Sequence, residues 1–283
     1  MSNPKEKNFN LGGSIEKALT GDFELKPVSV IREAWQLTLR HFLSFSPAVI
    51  VLIAIQVVIF LLALKFQVGD ITSILAMFQQ PDKLDPAIFQ SIFVANFSYE
   101  VVAAPIYAGV ALMAMCHAAG LNTQTNQITK GLPFMVPIIL VTMLNLVSQA
   151  FAGAIFPLLS IYLSLAFSNA LLLVCEKRLT PINALWTSLR AVNKRLFSIA
   201  IVYLVTMLAF VAGMMMYGIG LVIAVPFFFH AKGIIYRNMF GVRLQVVGGP
   251  SSSNEEPSGD EQNRDDSEHP RPPTSGGSNT FDA

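Results

Sequence analysis

The sequence has 283 residues, of which 53% are hydrophobic and only 13% charged, and its mean hydropathy is +0.55. Because charged residues make up about a quarter of ordinary soluble domains, this composition excludes a soluble globular protein. The formal net charge of +1 conceals an acidic stretch at 248–283, which leaves the rest of the chain basic.

Residues 1–26 are polar, and the first long apolar run begins only near Phe45. No apolar segment follows a basic start, so we expect no cleaved signal peptide and expect the first membrane helix to direct insertion. We predict that residues 1–26 form a mostly disordered cytoplasmic segment, in which 14–19 could form a short helix.

The segment 27–43 has the pattern of an amphipathic helix. Apolar residues fall on one side at helical spacing, with Trp35 among them, whereas Arg32 and Arg40 fall on the other. Such a helix suits the headgroup boundary of a membrane. It would equally suit packing against the cytoplasmic ends of the membrane helices, and the two interpretations are compatible.

The apolar stretches that follow predict six membrane-spanning helices, since about 20 mostly apolar residues in a helix cross the hydrocarbon core. The predicted spans are 45–64, 101–119, 132–151, 155–175, 196–217 and 221–236. Lys and Arg fall almost entirely on one set of alternate connections, and the other set holds only Lys65 and Lys83. By the positive-inside rule, both termini are predicted to be cytoplasmic.

The chain also repeats itself between 27–120 and 181–241. Aligned without a gap, Pro27 matches Pro181 and Arg40 matches Lys194, and Pro105 and Pro226 each precede a glycine by the same interval. The simplest architecture is an all-α membrane domain over 27–247, in which each hairpin of two spans follows an amphipathic helix. The tail at 248–283 is rich in Ser, Pro, Gly and acidic residues and is predicted to be disordered.

A family resemblance rests on the C-terminal unit. The run Ala-Leu-Trp-Thr-Ser-Leu-Arg at 184–190, then Gly-Ile-Gly at 218–220, Pro226 and the exit at 236–241 resemble the C-terminal signature of YciC-like bacterial membrane proteins. The pattern is similar too to the membrane domain fused to some glycerophosphodiester phosphodiesterases, although no phosphodiesterase catalytic domain is present here. The resemblance covers about 27–243 and implies a bacterial inner-membrane protein without an assigned reaction.

Polar residues inside the apolar stretches are the candidate functional positions, because an ionisable group in hydrocarbon is costly unless it is paired or hydrated. The candidates are His230, Pro226, Asn145, Gln149 and Asn169. Asn145 and Gln149 lie four apart on one helix face, where they could bond across to Asn169 and join helices. Pro226 could break a helix, as in transporters, or simply fit its first turn.

Three further ionisable residues are predicted to lie at the ends of spans. Glu100 is placed at the outer end of the second span, and His117 and Lys232 toward inner ends, where their side chains can reach the membrane surface. No catalytic, metal-binding or cofactor-binding motif is present, and Cys116 and Cys175 lack the spacing of a metal or redox pair.

The sequence therefore favours a non-enzymatic membrane scaffold or assembly factor without a cofactor. Its expected partners are membrane lipid and other membrane proteins or further copies of itself, with no nucleic acid. The alternative is a small-solute transporter or channel. A transporter requires a polar cavity that reaches the membrane midplane, whereas a scaffold predicts a dry helical bundle with apolar grooves.

Overall fold

The structure is a computed structural model that describes the backbone of residues 7–68 and 86–246 and the side chains within 10–67 and 90–243. The predicted disorder of 248–283 lies outside these residues and remains a prediction, and so does the part of the predicted connection between the first two spans at residues 69–85.

The described chain is almost entirely helical, as its composition predicts. A 3₁₀ helix at Thr125–Phe134 leads directly into the α-helix that begins at Met135. The α-helices, in chain order, are α1 (Ile15–Thr20), α2 (Pro27–Arg40), α3 (Phe42–Val68), α4 (Pro86–Ala118), α5 (Met135–Ile155), α6 (Pro157–Ala166), α7 (Ala170–Lys177), α8 (Pro181–Lys194), α9 (Leu196–Met215) and α10 (Leu221–Phe240).

The chain divides into two compact units. The described part of one unit, residues 7–9 and 243–246, lies in a two-stranded sheet in which β1 (Lys7–Leu11) pairs with β2 (Val242–Val246). The other unit, residues 10–242, contains all the described helices.

The described part of the N-terminal segment is ordered, so the prediction of mostly disordered residues is wrong for 7–26. Helix α1 forms where the sequence allowed a short helix, and the Ser14 hydroxyl caps it by accepting from the Lys17 backbone N–H at 3.2 Å. Ala18, Phe23 and Leu25 are buried. Burial of these few apolar side chains stabilises the segment, although its overall composition is polar and predicted disorder.

Five helical stretches of the described residues are long and apolar enough to cross a membrane. They are Phe42–Gln67, Gln90–Ala118, Thr125–Ile155, Pro157–Lys177 and Leu196–Met215. Helix α10 has a similar length, at 20 residues, but it carries Lys232 and Arg237 and is less apolar. A multi-pass membrane protein is therefore supported, while a sixth crossing by α10 remains a prediction.

Helices α4 and α10 form the centre of the helical unit. The most apolar window of α4 is 78% buried, against 22% for α3. Gly233 of α10 lies directly against the Ala114 carbonyl of α4, so closely that a Cβ at residue 233 would overlap it. The outer helices leave large apolar side chains exposed, as expected of surfaces that face lipid.

The two amphipathic helices have matching bounds. Helices α2 and α8 each have 14 residues, begin at Pro27 and Pro181 and end at Arg40 and Lys194, the four positions that the sequence alignment pairs. Each proline occupies the first turn, where its missing N–H costs nothing. The helix bounds agree with the alignment, and the internal repeat itself remains a prediction.

Candidate functional site

A cavity of about 420 Å³ lies among α3, α4, α5, α6, α7, α9 and α10. Its volume is in the range of about 300–1,000 Å³ that is usual for small-molecule sites. The polar lining residues are Gln56, Tyr99, Glu100, Tyr107, Thr142, Asn145, Ser164, Ser168, Tyr203 and Lys232.

Lys232 supplies the positive charge of the cavity. The sequence suggested that its side chain reaches the membrane surface at the end of α10. The residue is instead buried, with only 6% of its surface exposed. The Nζ atom donates to the Tyr107 hydroxyl at 3.0 Å and lies 4.8 Å from the centroid of the Tyr107 ring. A buried ammonium is stabilised by such a hydroxyl and aromatic face, although less than by a carboxylate.

Glu100 supplies the negative charge. Helix α4 begins at Pro86, well before Glu100, and continues to Ala118, so the placement of Glu100 at the outer end of a membrane span remains a prediction. Its Oε1 accepts a hydrogen bond of 3.1 Å from the side-chain amide of Asn96, one turn earlier. The polar residues between 90 and 100 conceal this early start of the helix in a hydropathy pattern.

A break in the fourth predicted span also borders the cavity. Helix α6 ends at Ala166 and α7 begins at Ala170, with a turn between them. The buried Ser188 hydroxyl of α8 fixes this turn, because it donates to the Ala166 carbonyl at 2.6 Å and accepts from the Asn169 backbone N–H at 3.3 Å. No glycine or proline marks the break, so the sequence pattern missed it.

Two hydroxyls at the cavity lack a good partner. The Ser168 Oγ and the Tyr203 hydroxyl oxygen are buried, and neither makes a hydrogen bond of acceptable geometry within the described residues. The two hydroxyls lie beside each other, close enough for a weak hydrogen bond between them. With at most this one bond, both keep donor or acceptor capacity for a polar ligand in the cavity.

The three predicted amides are only partly brought together. Asn145 lines the cavity, and its Oδ1 accepts from Gln149 Nε2 at 2.8 Å. Asn169 makes no hydrogen bond to this pair. Its Nδ2 instead faces the sulfur of Met239 at 3.8 Å, and it belongs to the break held by Ser188. The predicted bridge from Asn145 and Gln149 to Asn169 is therefore wrong.

His230 lies outside the cavity, in a buried hydrogen-bonded chain that joins three helices. The Thr38 hydroxyl donates to the Ala34 carbonyl at 2.8 Å and lies 3.1 Å from His230 Nδ1. His230 Nε2 lies 3.0 Å from His117 Nδ1, and His117 Nε2 lies 2.8 Å from the Thr123 hydroxyl. His117 is thus buried, and the prediction that its side chain extends to the membrane surface is wrong.

His41, at the end of α2, covers this chain from one side. Its ring stacks on that of His117 with centroids 4.0 Å apart. Burial, and secondly the charge of Arg40, lowers the pKa of His41. The imidazole is therefore neutral at neutral pH, and its stacking on His117 involves no like-charge repulsion. Among the described residues, no group of three or more His, Cys, Asp or Glu side chains could hold a metal ion.

Pro226 does not break its helix. Helix α10 begins at Leu221 and continues through Pro226 to Phe240, so this residue lies near the helix start and is buried. Pro105 likewise lies inside α4 without ending it. Of the two interpretations that the sequence left open for Pro226, the structure excludes a broken helix at this residue.

Arg237, which the sequence did not single out, ties the same end of the bundle together. Its guanidinium donates to both Glu33 carboxylate oxygens, at 2.7 and 3.0 Å, and to the Ala118 carbonyl at 2.6 Å. It thereby links α10 to α2 and to the end of α4. A planar guanidinium with two parallel hydrogen bonds to a carboxylate is among the stronger polar contacts in proteins.

Comparison with known proteins adds no further constraint: no protein-family model, curated protein or solved structure matches this chain.

Proposed function

We propose that this chain is a multi-pass protein of the bacterial inner membrane that carries a small polar solute across the bilayer. The observation that supports this most directly is the cavity of about 420 Å³, whose lining includes Glu100 and Lys232. Charged groups are rare inside membrane helices and, where present, commonly mark the path of a solute or ion. A bundle that serves only as a scaffold has no need of them.

The depth of the cavity supports the same function. Tyr107, which contacts Lys232, lies 11 residues before Ala118, the last residue of α4. At 1.5 Å per residue this is about 16 Å, or about half of the hydrocarbon thickness. The cavity would therefore reach the membrane midplane, which is the requirement that separates a carrier from a dry scaffold.

The interruption between α6 and α7 is a second supporting feature. Irregular backbone at membrane depth is tolerated where it is buried in protein or lines a polar cavity. Phe167 and Ser168 of the turn both line the cavity. Carriers commonly form their solute sites from interrupted helices of this kind.

The proposal includes a topology. We infer six crossings, with α10 as the sixth, two related units at 27–120 and 181–241, and both termini in the cytoplasm, where most Lys and Arg residues would then lie. The YciC-like signature at 184–190 and 236–241 supports membership of that bacterial family and a location in the inner membrane.

A scaffold or assembly factor remains a second candidate, because α2 and α8 expose apolar side chains. Trp35 is 47% exposed and Trp186 59% exposed, and Ile182 lies one turn before Trp186 on the same face of α8. These faces suit lipid, another membrane protein or a second copy of the chain. An additional role in assembly would not conflict with the cavity.

Uptake into liposomes tests the carrier function. Reconstituted protein would be assayed with labelled amino acids, amines, carboxylic acids and phosphomonoesters, against protein-free liposomes. At least one solute should enter faster, and Ser164→Trp, which places an indole in the cavity, should abolish that uptake. Leu208→Trp is the matched control, because Leu208 is 59% exposed on α9. Folded protein that moves no solute in the panel would contradict the proposal.

A further inference from the structure

The two charges of the cavity do not reach each other. Lys232 Nζ lies beside Tyr107, at 3.0 Å from its hydroxyl, and Glu100 precedes Tyr107 by seven residues on α4. Seven residues make about two helical turns, so Glu100 and Tyr107 share a face and lie about 10 Å apart along the helix. Within the described residues, no ion pair joins Glu100 to Lys232.

Neither charge finds an oppositely charged partner within the described residues. The ion pairs there are Lys26–Glu24, Lys177–Glu176 and Arg237–Glu33. Glu100 has a hydrogen bond from Asn96, and Lys232 has the hydroxyl and ring of Tyr107. Charged groups removed from water are strongly stabilised by an opposite charge, so each of these two ends favours a ligand group of the other sign.

We propose that the cavity binds a zwitterion, whose ammonium contacts Glu100 and whose carboxylate or phosphate contacts Lys232. This inference deepens the proposed function, since it names the class of solute. 4-Aminobutanoate and phosphoethanolamine are suitable probes, because each carries an ammonium at one end and an anionic group at the other. The neighbouring hydroxyls of Ser168 and Tyr203 can supply further polar contacts.

Binding measurements on the wild-type protein in detergent test the ligand class without any transport. Isothermal titration calorimetry would compare 4-aminobutanoate with butanoate and with butylamine, each of which lacks one charge. The zwitterion should bind about tenfold more tightly than either analogue, because each lost charged contact costs at least that factor. Equal affinity for the three compounds, or no binding of both 4-aminobutanoate and phosphoethanolamine, would overturn the proposal.

Two variants assign the ends of the ligand. Glu100→Gln should weaken 4-aminobutanoate about tenfold and leave butanoate unchanged, whereas Lys232→Met should weaken 4-aminobutanoate and leave butylamine unchanged. Glu24→Gln, which alters the exposed pair with Lys26, is the matched control and should leave all three affinities as they are. The reverse pattern, or identical effects of both variants on both analogues, would contradict the assigned orientation. The comparison of compounds on the wild-type protein stands even if a variant does not fold.

Two further experiments identify the source of the ligand and distinguish the ligand class from the carrier function. Labelled phosphoethanolamine would be bound to the protein in nanodiscs that contain phosphatidylethanolamine or only phosphatidylglycerol. Displacement by phosphatidylethanolamine would identify a lipid headgroup as the source, and its absence a free solute. Zwitterion binding without uptake would support the ligand class and contradict the carrier function. Uptake of a singly charged solute without zwitterion binding would support the carrier function and contradict the ligand class.

Discussion

At the scale of single residues, Arg237 joins three helices through charge-assisted hydrogen bonds. Its guanidinium bonds Glu33 of α2 and the last carbonyl of α4, with the side chains of Arg237 and Glu33 18% and 35% exposed. Arg237→Leu leaves a partly buried carboxylate and a carbonyl without their donor. We expect this change to lower the free energy of unfolding by about 2 kcal/mol.

Thermal or denaturant unfolding in mild detergent measures this effect. Glu24→Ala is the control, because the Lys26–Glu24 pair is 73% and 75% exposed and should contribute nothing measurable. If the two variants unfolded alike, the contact of Arg237 with Glu33 and Ala118 would not be a stabilising one.

At the scale of elements, the contact between α4 and α10 depends on a residue without a side chain. A Cβ at Gly233 would overlap the Ala114 carbonyl, and backbone cannot yield as a flexible side chain can. Gly233→Leu should therefore separate the two central helices and cost about 3 kcal/mol or more of stability. Gly153→Ala is the matched control, since its Cβ would lie 3.5 Å from Ser160 Cβ, an ordinary contact. Equal melting temperatures for both variants would show that the helices can separate without cost.

The same elements show what a sequence can and cannot predict. Helices α2 and α8 were predicted at the correct starts because Pro27 and Pro181 coincide with the onset of a helical apolar pattern. The early start of α4 and the break after Ala166 were missed, since polar side chains that face an internal cavity leave no distinct periodicity. Lys232 was assigned to a helix end for the same reason. The partners of Glu100 and Lys232, which are Asn96 and Tyr107, become visible only once the helices are packed.

At the scale of the whole molecule, the proposed topology places Glu24 and Thr180 on one side of the membrane and Ile219 on the other. All three are exposed, and the two native cysteines are buried, so background labelling should be low. In intact cells, a membrane-impermeant thiol reagent should label Ile219→Cys but neither Glu24→Cys nor Thr180→Cys. The latter two should react only after the membrane is opened. Labelling of Thr180→Cys and Ile219→Cys on the same side would exclude the six-crossing arrangement.

The hydrogen-bonded chain through His230 and His117 has a direction that fixes its protons. The Ala34 carbonyl can only accept, so Thr38 gives it its single proton and must itself accept from His230 Nδ1. Both imidazoles then carry their proton on Nδ1, and Thr123 donates to the open Nε2 of His117. A proton added to either ring can be accommodated only if the Thr123 hydroxyl rotates from donor to acceptor. The orientation of the Thr123 hydroxyl therefore depends on the protonation of both imidazoles, although His230 lies two hydrogen bonds away from it.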